Sequence, residues 1–107
     1  DMTVFDGDTK LVIERINQLA KKYKEEEVGI LATDETQHCY PYGQVVSVGS
    51  RDKKTIEQGL FAALRTFDHK GVEVILSESF SQEEKGEAIM NRLLKAAGQH
   101  IIFLSED

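Results

Sequence analysis

The residues best suited to chemistry fall in short polar stretches that follow apolar runs. Gly49-Ser50-Arg51-Asp52 offers backbone N–H groups, a hydroxyl and a guanidinium where a strand should pass into a helix, an arrangement able to cradle an anion. It lacks both GxGxxG and the GK[ST] ending of a phosphate loop, so a turn with a helix cap is the simpler reading. Thr33-Asp34-Glu35-Thr36 and Asp6-Gly7-Asp8 put carboxylates at strand ends, where a metal with phosphate or a general acid is conceivable. Without a second converging feature they read as solvated turns, and no metal site is expected. His38-Cys39 sets a thiol beside an imidazole, but no further residue marks an activated nucleophile. Arg65 and Asp68 stand three apart, at the spacing of an ion pair on one helix.

The elements that must position these groups follow from periodicity. Residues 2–5 read as a strand ended by Asp6-Gly7-Asp8, with Asp8 or Thr9 free to cap a helix. In that helix Val12, Ile16, Leu19 and Tyr23 share a stripe, which extends it to about Lys24. Val28–Ala32 is a short apolar run suited to a buried strand. Residues 33–43 are polar and hold the only proline, and 44–48 then alternate into a second strand. Ile56, Leu60, Phe61, Leu64 and Phe67 form the stripe of another helix, which Gly71 stops. Residues 72–76 follow as a strand, residues 86–97 as a helix, and Ile101–Leu104 as a last strand or tail.

Strands rich in Val, Ile and Leu separated by helices predict an α/β fold: three layers, a mostly parallel sheet of four to five strands with helices on both faces, Rossmann-like in type. In such a sheet ligands bind beyond the carboxyl ends of the strands, which directs attention to the turns named above and to residues 77–81.

At 107 residues the chain fits one domain with its own core. A net charge of -6 argues against general affinity for nucleic acid or anionic membranes, which need basic patches. No apolar run approaches the length of a membrane span, and no charged-then-apolar leader opens the chain. One cysteine, Cys39, excludes an internal disulfide and suits a reducing compartment, so a cytoplasmic location is expected. The opening Asp1-Met2-Thr3-Val4-Phe5 steps into an apolar segment without a starting Met, as a piece excised from a longer protein would.

The 86–97 helix carries Ile89, Met90, Leu93, Leu94 and Ala97 on one face, yet sets Asn91 beside Arg92 in mid-helix, where propensity disfavours Asn. Lys95 and Arg92 complement the helix dipole near its C-terminal end. The Asn91-Arg92 pair suits a hydrogen bond to another loop or domain, or a polar ligand contact.

Here the residues go beyond periodicity. Residues 60–68, LFAALRTFD, and 88–97, AIMNRLLKAA, with Val74-Ile75 and Glu78 between, resemble the pattern LFxxLRxFD followed by GxAIMNRLxKAA. In that order they look like the C-terminal accessory domain of the two-domain L-threonylcarbamoyladenylate synthases. The likeness is specific in the second half of the chain and looser before it, where the element layout and residues 28–32 agree. It implies a parent nucleotidyltransferase that joins threonine, bicarbonate and ATP into threonylcarbamoyl-AMP with release of pyrophosphate, toward threonylcarbamoyladenosine in tRNA. That chemistry, with ATP and its Mg, belongs to a YrdC-like catalytic domain not present here. The resemblance therefore implies a domain with no cofactor and no catalytic residue of its own. Its partners would be the catalytic domain and interdomain linker in cis, contacted through some of Gly49, Ser50, Arg51, Arg65, Asp68, Glu78, Asn91, Arg92 and Lys95. A nucleotide-binding regulatory module and a homodimerising domain are the alternatives. One departure stands out: the family often has Gly-Leu-Gly ahead of AIMNRL, where this chain has Lys85-Gly86-Glu87. The helix is then expected to extend upstream, with Ser81 and Glu84 as a capping box.

Overall fold

The computed structural model describes residues 2–50, 56–79 and 101–104. Along the chain these form β1 (Met2–Gly7), α1 (Thr9–Ala20), β2 (Val28–Ala32), a 3-10 turn (Gln37–Cys39), β3 (Gln44–Ser47), α2 (Ile56–Lys70), β4 (Val74–Glu78) and β5 (Ile101–Leu104). The five strands make one sheet in the order β3-β2-β4-β1-β5, with every neighbouring pair parallel. The expected parallel α/β sheet is therefore present, and Ile101–Leu104 is one of its strands. Its order differs from the familiar 3-2-1-4-5 of dinucleotide folds by the exchange of β1 and β4. The 86–97 helix and the Ser81–Glu84 cap lie outside the described residues.

Side-chain alternation along the strands divides the core in two. On one face Phe5, Val28, Ile30, Ala32 and Leu76 pack with Val12, Ile16 and Ala20 of α1. On the other, Met2, Val4 and Leu31 pack with Leu60, Ala63 and Phe67 of α2. Both faces of the central strands are thus covered, which is why β2 is buried at all five positions and reads as an unbroken apolar run.

The structure differs from the periodicity in three places, two of them element ends. Helix α1 stops at Ala20, not near Lys24; its twelve residues span about 18 Å, matching a six-residue strand of about 20 Å. Tyr23 consequently leaves the stripe and is 40% exposed, while its carbonyl accepts the Tyr42 hydroxyl. Helix α2 buries Leu60, Ala63 and Phe67, whereas Phe61 is 44% exposed. Finally, β4 begins at Val74 because residues 71 and 72 close the helix: the Gly71 N–H donates to Asp68 and the Val72 N–H to Phe67. This paired closure needs the positive φ of +72° that Gly71 supplies.

Two other glycines let α2 approach the sheet. A Cβ on Gly59 would lie 1.9 Å from the Val48 carbonyl oxygen, and one on Gly29 would lie 2.8 Å from the Phe67 ring. A ring can shift, whereas a backbone carbonyl held between elements cannot do so cheaply. Urea denaturation should therefore rank the alanine substitutions. Gly59→Ala is expected to cost most, at about 3 kcal/mol or more, and Gly29→Ala about 1–3 kcal/mol. Gly71→Ala, with open space around it, should cost about 1 kcal/mol from its backbone angle alone. A Gly59→Ala protein as stable as the parent would refute the close packing of α2 on β3.

Candidate functional site

At the carboxyl ends of β2 and β4 the chain leaves in opposite directions, toward β3 from one strand and toward β5 from the other. Such a divergence opens a crevice in an open parallel sheet and is the usual place for a ligand. Here it is filled from within. Glu78, the last residue of β4, is 1% exposed. Its Oε2 accepts the Thr36 hydroxyl at 2.7 Å and the Tyr40 hydroxyl at 2.5 Å, both from the β2–β3 connection. A hydroxyl has one proton to give, so Thr36 Oγ1, having donated to Glu78, acts as acceptor toward the Thr33 N–H at 3.1 Å and the Thr33 hydroxyl at 3.0 Å. Thr33 and Thr36 are themselves buried, and no buried side-chain polar atom among the described residues is left without a partner.

This network explains how a polar connection of eleven residues can lie against a sheet. Thr36 caps a tight turn through the Thr36 and Gln37 N–H groups, both of which donate to the Thr33 carbonyl. The 3-10 turn that follows brings Tyr40 down into the α1-side core, and Asn17 of α1 donates to the Cys39 carbonyl at 3.1 Å. Chemically, a carboxylate that receives two hydroxyls in a buried setting is stabilised as an anchor.

Two exposed carboxylates, Asp34 and Glu35, lie on the described rim of the same end. Ser47 donates to Asp34 at 2.6 Å and Ser50 donates to Glu35 at 2.7 Å, while the Gly49 N–H is given to Ser47 Oγ and the Gly49 carbonyl accepts the Asp34 N–H. The Gly49 amide and Ser50 hydroxyl are thus directed at protein partners, and carboxylates flank the turn. A small cavity of about 80 Å³ opens among Phe5, Asp6, Gly7, Thr9, Glu78 and Ser79. Small-molecule sites usually need about 300 Å³ or more.

The expected contact residues scatter. Gly49, Ser50 and Glu78 share the carboxyl end of the sheet, connected through the 33–36 turn. Arg65 and Asp68 lie exposed on α2, the latter one turn before the helix closes at the opposite end of the sheet. Arg51, Asn91, Arg92 and Lys95 lie outside the described residues. The His38 ring and the Cys39 sulfur approach to 3.7 Å at an exposed position. Among the described residues no group of three His, Cys, Asp or Glu side chains could hold a metal ion. Sequence reasoning missed Thr36 and Tyr40 as partners of Glu78, and Thr33 as the partner of Thr36. The available signal was a lone Glu closing the apolar run of β4, together with two Thr at turn spacing after β2.

Residues 1–98 match the sequence family described as threonylcarbamoyl-AMP synthase, C-terminal domain. The chain belongs to that family. It is 44% identical over 92 residues to the threonylcarbamoyl-AMP synthase of Bacillus subtilis, covering 83% of this chain and 27% of the relative. To the synthase of Pyrococcus abyssi it is 36% identical over 104 residues, covering 95% of this chain and 29% of the relative. The chain therefore spans less than a third of these curated relatives. Among solved structures, a doubly substituted Pyrococcus abyssi Sua5 superposes with a TM-score of 0.82 at 35% identity, over 99% of this chain and 30% of that one. The separately crystallised C-terminal Sua5 domain from Pyrococcus horikoshii superposes with a TM-score of 0.71 at 30% identity, over 97% and 96% of the two chains. No helix among the described residues of this C-terminal domain is long and apolar enough to cross a membrane.

If Glu78 is an anchor, removing either donor should unfold the domain more easily. Tyr40→Phe and Thr36→Val are each expected to lower stability by about 1–3 kcal/mol in urea titrations, because a buried acceptor loses a partner. Ser50→Ala, on the exposed rim, should stay within about 0.5 kcal/mol. Equal effects at all three positions would contradict the anchoring role.

Proposed function

We propose that this chain is a docking domain of a threonylcarbamoyl-AMP synthase, one that positions a catalytic portion and its linker and performs no chemistry itself. The observation that carries this reading is family membership over residues 1–98, combined with coverage of only 27% and 29% of the curated synthases. The crevice adds support: the Thr36 and Tyr40 hydroxyls are turned onto Glu78, and the cavity among the described residues beside it is small for a nucleotide. ATP, with its Mg, then binds in the catalytic portion, where threonine and bicarbonate are converted to threonylcarbamoyl-AMP for tRNA modification. Contact with that portion is made in cis, and Arg65, Asp68, Asn91, Arg92 and Lys95 are the polar candidates for it. A cytoplasmic location accords with this role.

The 107-residue chain supplied with ATP, threonine and bicarbonate should release no pyrophosphate above background. Turnover by the isolated chain would sink the proposal. Calorimetry against ATP, AMP, pyrophosphate and threonine should give no heat, and none should raise the melting temperature; a saturable response would favour a nucleotide-binding regulatory module. Replacing Asn91 and Arg92 together with Ala should leave the melting temperature of the isolated domain near its original value while slowing the full-length synthase. Loss of folding in the double mutant would assign the pair to structure.

A further inference from the structure

We draw no further inference here: the strongest candidate, the cavity of about 80 Å³ where the ends of β1 and β4 meet the start of α1, is a helix N-terminus beside Asp6 and the already bonded Glu78, and nothing among the described residues shows a ligand there or what covers it.

Discussion

A carboxylate buried at the end of a central strand must be met by donors before the sheet around it can close. Glu78 sits where both faces of the sheet are covered, and leaving its charge unmatched there would cost several kcal/mol. The hydroxyls of Thr36 and Tyr40 satisfy it, and they reach it only because the connection after β2 is folded back over the strand ends. The constraint is reciprocal. The connection needs the carboxylate to hold its turn, and β4 needs the connection to bury its last residue. The β2–β3 link, which contains only a 3-10 turn, is thereby pinned to the end of β4 by side-chain hydrogen bonds.

The same constraint shapes what the carboxyl end of the sheet can do. In parallel α/β proteins this end usually carries ligands because strand-end amides and hydroxyls point outward. Here the hydroxyls of Thr33, Thr36 and Tyr40 point inward, and Ser47 and Ser50 donate to Asp34 and Glu35. Among the described residues, the polar groups of this crevice are thus bonded to one another.

Close approach of α2 is the other organising feature. Gly59 brings the helix against the Val48 carbonyl, and Gly29 makes room for the Phe67 ring. These contacts set the helix rotation that buries Leu60, Ala63 and Phe67 and turns Phe61 outward. Helical periodicity could place Leu60, Phe61, Leu64 and Phe67 on one broad stripe, but it could not choose its centre. The choice depends on which residues lack a Cβ at the contact, and that is known only once the partner strand is in place.

The amino-acid sequence by itself determined the α/β class, the strand at 28–32, the stop at Gly71 and, through LFAALRTFD and AIMNRLLKAA, the family. These are local properties, set by side-chain period, turn chemistry and motif order. Only the tertiary structure decided the β3-β2-β4-β1-β5 order, the early end of α1 at Ala20 and the joining of Thr36 and Tyr40 to Glu78. Thirty-eight to 42 residues separate those partners, so no local pattern links them. What brings them together is the pairing of β2 with β4, a long-range contact whose free energy comes from burying both strands between two helices.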